Sequence, residues 1–255
     1  MSLSWALWAS WGYLAGREET IAGGVVCKMG REKGDAKGVF SGQTRSSQAK
    51  LVCRELKKSI PETRVELDYE NALELMVATV LSAQCTDVKV NEVSKALFEK
   101  YPRPEDYAGV EAEQLEEDIR QTGFYRQKTK NIQAAMQMII TDHNGQVPDS
   151  MDALTRLPGI GRKSANVILG NIHGVPGIVV DTHVGRVSHR LGLTKEKDPV
   201  KIEMALGKLL PEDQWTAFGQ RLVLHGRYVC KARKPLCDEC ALMPHCPHFA
   251  EQAKG

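Results

Sequence analysis

The chain has 255 residues, 42% of them hydrophobic and 26% charged, with a formal net charge of +2. This length builds one large domain or two modest ones, and the composition excludes fibrous, repetitive and largely disordered chains. No run approaches the roughly 18 consecutive apolar residues of a membrane span.

Charge is unevenly distributed. Positions 156–190 carry Arg156, Arg162, Lys163, Arg186 and Arg190 against one acid, Asp181, and positions 221–234 carry Arg221, Arg227, Lys231, Arg233 and Lys234 with none. Acids gather instead at Glu111, Glu113, Glu116, Glu117 and Asp118. This segregation fits one basic face that binds a polyanion, and it also fits ordinary solvated helix faces.

Along the chain, residues 1–45 are rich in glycine and lack sustained helical periodicity, so a poorly ordered tail is expected there. Within it, Trp5, Trp8 and Trp11 share one helical stripe, the mark of a short local helix. No basic stretch followed by an apolar core and a cleavage site opens the chain, so a secretory signal is not expected. From about residue 46 the pattern is helical. Ala72, Leu75, Met76, Thr79 and Val80 trace one face, and Ile132, Ala135, Met136, Ile139 and Ile140 trace another. Asp87 stands where it can cap a helix carrying Val90, Val93, Ala96 and Leu97, and Asp149 where it can cap one carrying Met151 and Leu154. Pro102, Pro104, Gly145, Pro148, Pro176 and Gly177 mark the joins. Strand patterns are scarce: the run Ile178-Val179-Val180 suits a buried extended connector as well as a strand. An all-α protein is expected.

The run Leu157-Pro158-Gly159-Ile160-Gly161-Arg162-Lys163-Ser164 lies between two helical segments. Pro158 stops the first helix, and Gly159 and Gly161 permit positive φ and close backbone approach. Backbone N–H groups opening the second helix then form an anion site, suited to a DNA phosphate, although a plain structural hairpin has the same form. Lys163 falls in the first turn, where the helix dipole disfavours an ammonium and so favours the nucleophilic amine. Asp181, in Val180-Asp181-Thr182-His183-Val184, reads on these residues alone as an N-cap, a role compatible with catalysis.

Seven cysteines occur, and Cys230, Cys237, Cys240 and Cys246 fall within seventeen residues with gaps of six, two and five. An odd count without a secretory signal points to a reducing compartment, the cytoplasm. Four thiols so close, flanked by Lys and Arg, suit one metal centre closed by protein ligands, hence structural. Zinc and a four-cysteine iron–sulfur cluster both remain open on spacing. Such a centre beneath Lys231, Arg233 and Lys234 would hold those cations rigidly for a phosphate backbone.

Taken together, Leu81-Ser82-Ala83-Gln84, the glycine hairpin through Lys163 with Val180-Asp181-Thr182-His183, and the four-cysteine pattern resemble the endonuclease III family of helix–hairpin–helix DNA glycosylases/AP lyases. The resemblance covers about residues 46–248. It implies a [4Fe–4S] cluster on the four cysteines and two helical lobes with DNA in the cleft between them. One lobe would be a six-helix domain at 67–176; the other, the cluster domain, would combine 46–66 with 177–255. It also implies Lys163 as nucleophile, Asp181 as catalytic carboxylate, and Leu81 and Gln84 as residues that fill the duplex once a base is flipped out. DNA contacts are expected further from Leu157, Gly159, Ile160, Gly161, Arg162, His183, Lys231, Arg233 and Lys234. The implied function is removal of oxidised pyrimidines from duplex DNA and cleavage at abasic sites, by a cytoplasmic monomer, nucleoid-associated if the source is bacterial. The alternatives are a mismatch-specific adenine glycosylase, which typically lacks the lysine and carries a further C-terminal domain, and a non-catalytic hairpin module.

Overall fold

The computed structural model describes residues 44–252. The tail expected at 1–45, with its tryptophan helix, lies outside them except for its last two positions. Twelve α-helices follow: α1 Arg45–Ser59, α2 Ala72–Leu81, α3 Asp87–Lys100, α4 Pro104–Gly109, α5 Ala112–Ile119, α6 Tyr125–His143, α7 Met151–Arg156, α8 Arg162–Ile172, α9 Thr182–Arg190, α10 Pro199–Gly207, α11 Trp215–Tyr228 and α12 Pro247–Gln252. No strand occurs among the described residues, and 178–180 is an extended connector with Ile178 and Val180 buried. The all-α expectation holds.

Two hydrophobic clusters organise these helices. The first is centred on α2, in which seven consecutive residues, Leu75 through Leu81, are buried. A helix without a solvent face must be surrounded, and α3, α6 and α8 pack against it. The second cluster joins Ala49, Val52 and Leu56 of α1 to Val184 and Val187 of α9, Ile202 and Leu206 of α10, and Phe218 and Leu222 of α11. The described residues thus begin and end at the second cluster and build the first between.

Helix caps refine the sequence expectations. Thr86, not Asp87, caps α3: its extended backbone sets Oγ1 3.3 Å from the Lys89 N–H, while Asp87 already lies inside the helix. Ser150 rather than Asp149 caps α7, accepting from the Ala153 N–H at 3.3 Å. In both cases a hydroxyl one residue from the expected carboxylate reaches the free N–H. No helix among the described residues is long and apolar enough to cross a membrane.

Candidate active site and DNA interface

The glycine hairpin joins α7 to α8. Gly159 adopts φ +84°, and a Cβ there would meet the Asn131 Cβ at 3.0 Å, so both backbone sign and close approach require glycine. Gly161 is the N-cap of α8 and supplies no side-chain cap, which leaves the first-turn N–H groups for an external acceptor. Leu157 and Ile160 are buried in the first cluster, and the Ile160 N–H already donates to the Leu157 carbonyl at 3.1 Å. These two side chains anchor the hairpin in the core, so the hairpin offers a ligand its backbone at these positions rather than their side chains. Alternating apolar residues around two glycines fix the shape of the turn.

Lys163, in the first turn of α8, is exposed and lines a cleft of ≈ 110 Å³ shared with Thr79, Ser82, Asp87, Asp181 and Arg227. Asp181 lines it as the N-cap of α9. Its Oδ1 accepts from the His183 N–H at 2.8 Å and the Val184 N–H at 2.9 Å. Its Oδ2 takes no protein hydrogen bond among the described residues, so one carboxylate caps a helix and keeps an oxygen for the cleft. His183 is held at one side, its Nδ1 3.1 Å from Arg186 Nη2.

Asp87 was expected only as a cap. It lines the same cleft and accepts from Arg227 of α11, which also binds Glu66. Burial pushes the Asp87 carboxyl up, the Lys163 charge opposing and Asp181 adding to the shift. Arg227 therefore ties α11 of the second cluster to α3 of the first across one end of the cleft. Arg162 makes a second tie: its Nε and Nη2 hold both carboxylate oxygens of Glu203.

Leu81 is fully buried, the last residue of α2, and does not reach the surface as expected of a gap-filling residue. The reason is the burial of α2 from Leu75 onward: its final turn still faces the first cluster. Gln84 is exposed three residues later, in a left-handed backbone with φ 54°. A residue the sequence reading missed stands out beside it in kind. Phe124 is 64% exposed with φ 47°, between the 3₁₀ turn Arg120–Thr122 and α6. A large apolar side chain in a left-handed backbone facing solvent is unusual on both counts. The available signal was Gly123 before an aromatic residue at a helix junction.

The expected basic face is smaller than charge counting suggests. Arg221 is buried and donates to the carbonyls of Ile60 and Pro61. Arg186 donates to Gly226 and Cys230 carbonyls, and Arg190 to those of Lys231 and Ala232. Lys231, Arg233 and Lys234 are exposed on the loop that these two arginines hold.

Cys230, Cys237, Cys240 and Cys246 line one small cavity of ≈ 20 Å³ with Arg190, His225 and Leu191. Arg190 Nη1 donates to Cys230 Sγ at 3.3 Å, whereas the sequence-adjacent cations face outward. Burial pushes the Cys240 thiol up to about 11 and raises Cys237 and Cys246, with Cys230 adding to each shift. As the side chains stand, no three His, Cys, Asp or Glu among the described residues are grouped to hold a single metal ion.

Residues 77–212 match the model of the HhH-GPD superfamily base excision DNA repair proteins. The endonuclease III of Bacillus subtilis strain 168 is 51% identical over 187 residues, which cover 73% of this chain and 85% of that protein. The chain belongs to the endonuclease III family. The endonuclease III of a Synechocystis species is 50% identical over 193 residues, covering 75% of this chain and 88% of that protein. Among solved structures, a non-covalent endonuclease III–DNA complex matches with TM-score 0.80 and 43% identity, covering 84% of this chain and all of that one. A trapped endonuclease III–DNA covalent intermediate matches with TM-score 0.79 and 44% identity, covering 83% of this chain and all of that one. The hairpin described above lies within the matched residues 77–212.

Proposed function

We propose that Lys163 is the nucleophile and Asp181 the charge-stabilising carboxylate of a bifunctional DNA glycosylase and AP lyase that acts on oxidised pyrimidines in duplex DNA. The observation that carries this reading is their convergence: an exposed amine and a carboxylate with one oxygen uncommitted line a single cleft.

The amine nitrogen of Lys163, in its neutral form, forms a bond to C1′ as the bond from C1′ to the base breaks, and the departing base takes up a proton. Asp181 Oδ2 faces the positive charge that develops on the sugar and stabilises it without a covalent bond. Ring opening gives a protonated Schiff base on Lys163. That cation makes the C2′ proton acidic; its loss expels the 3′ phosphate by β-elimination, and the strand is cut 3′ to the lesion. Hydrolysis returns Lys163.

Base extrusion precedes this chemistry. Gln84 and Phe124, exposed in left-handed turns, support a pair of probes: a polar one for the orphaned partner base and an apolar wedge for the stack. The first-turn N–H groups of α8, with Lys231, Arg233 and Lys234, serve the phosphate backbone. The two hydrophobic clusters support the division into a lobe at 67–176 and a lobe combining 46–66 with 177–255.

The four cysteines support a [4Fe–4S] cluster: all line one cavity, and four thiolates are the ligand set such a cluster takes. Bound there, the cluster supplies a cross-link between the chain after α11 and α12, not a reacting group. A reduced thiol set of this kind belongs in the cytoplasm.

Borohydride trapping on a duplex with one oxidised thymine tests the reading. The parent protein should give a covalent adduct and Lys163→Ala none, with DNA binding retained. Strand cutting by Lys163→Ala would overturn the assignment. Binding without any adduct from the parent would leave a non-catalytic hairpin protein.

A further inference from the structure

α6 carries a lysine that the chemistry above leaves unused. Lys128 is 4% exposed, and its Nζ donates to the carbonyls of Leu81 and Thr122, each at 2.8 Å. Both carbonyls end helices: Leu81 closes α2, and Thr122 closes the 3₁₀ turn before α6. Final-turn carbonyls lack intrahelical donors and carry the negative pole of the helix dipole. One ammonium thus serves two helix ends brought together from separate parts of the chain. Burial disfavours its charge, with Cys85 opposing. A buried cation without a carboxylate partner is a poor way to fill a core, where leucine or methionine would avoid the desolvation cost. What the lysine adds is a fixed distance between the two ends.

Each end leads directly into one of the exposed left-handed residues. Gln84 follows Leu81 by three positions and Phe124 follows Thr122 by two. Only four non-glycine residues among those described have positive φ, and Gln84 and Phe124 are two of them. We propose that Lys128 is a positioning residue that fixes the spacing of Gln84 and Phe124, so that both probes enter the duplex at the same damaged pair. The proposal rests on the glycosylase reading above. An error of an ångström in placing either probe costs up to about a hundredfold in a step that needs both.

The test compares Lys128→Met with the parent on two substrates. One is a duplex with a single oxidised thymine opposite 2-aminopurine, whose fluorescence reports disruption of the partner base. The other is a single-stranded oligonucleotide with one abasic site, which needs Lys163 but offers no opposite strand to the probes. Lys128→Met should slow single-turnover excision on the duplex about tenfold or more and blunt the 2-aminopurine signal, while trapping on the single strand stays within about twofold of the parent. Lys128→Gln, which keeps two donors, should recover part of the duplex rate. Equal losses on both substrates, or an undiminished duplex rate, would overturn the proposal. If Lys128→Met does not fold, by circular dichroism and thermal unfolding, Lys128→Gln alone decides: a loss confined to the duplex supports the spacing role, and any other pattern rejects it. Absence of an adduct from the parent on the abasic single strand would instead reject Lys163 as nucleophile.

Discussion

Arg162 and Glu203 form a two-point ion pair, Nε to Oε2 at 2.8 Å and Nη2 to Oε1 at 2.9 Å, that joins the hairpin helix α8 to α10. The guanidinium adjacent in sequence to the proposed nucleophile is therefore engaged within the protein. Glu203→Gln should release it. Affinity for duplex DNA should then rise, and the dependence of log affinity on log salt should steepen by about one phosphate contact. Titrations at several salt concentrations measure both; an unchanged slope would mean that Arg162 stays bound where it is.

Asp181→Asn separates capping from catalysis. The amide oxygen can still accept from the His183 and Val184 N–H groups, so the unfolding temperature should stay within about 2 °C of the parent. The negative charge is lost, and turnover on lesion-containing duplex should fall by roughly a hundredfold. A large drop in stability with normal turnover per folded molecule would mean that the carboxylate is only a cap.

Phe124 is expected to trade stability for action. Phe124→Gly removes an exposed apolar side chain and relieves a left-handed backbone, worth about 1 kcal/mol, so the protein should unfold at the same temperature or slightly higher. Duplex excision should nevertheless fall on the order of tenfold, because the wedge is gone. Thermal unfolding and single-turnover kinetics on the same preparation decide it.

Cys240→Ser removes a half-buried thiol that shares a cavity with Cys230, Cys237 and Cys246. Iron content and visible absorbance should fall, and the unfolding temperature should drop by roughly 5–10 °C. Helical content by circular dichroism should change little, since α1–α11 are packed on two cores to which the cysteines are peripheral. An iron-replete, equally stable variant would show that Cys240 is not a ligand.

Local rules made much of this legible in the sequence. Helical periodicity, the proline and glycine joins and the hairpin all depend on neighbours within a few residues, and the structure bears them out. What escaped depends on distant partners. Leu81 gained its gap-filling role only from the family resemblance; on the residues alone it reads as core, and packing of α3, α6 and α8 around α2 keeps it there. Arg186, Arg190 and Arg221 count as surface charge in a sequence, although their guanidiniums end on backbone carbonyls far along the chain. Asp87 read as a cap because Thr86 was overlooked; its link to Arg227 joins residues 140 positions apart. Phe124 had no periodic signal at all, since its place outside the core follows from backbone strain at one residue.

The clamp formed by Arg186 and Arg190 has a mechanical consequence. These two side chains of α9 hold the carbonyls of residues 226, 230, 231 and 232. The helix that Asp181 caps at its start is thereby fastened, along its length, to the loop that carries Lys231, Arg233 and Lys234. A shift of that loop is passed to α9 through four carbonyls rather than absorbed by a flexible joint.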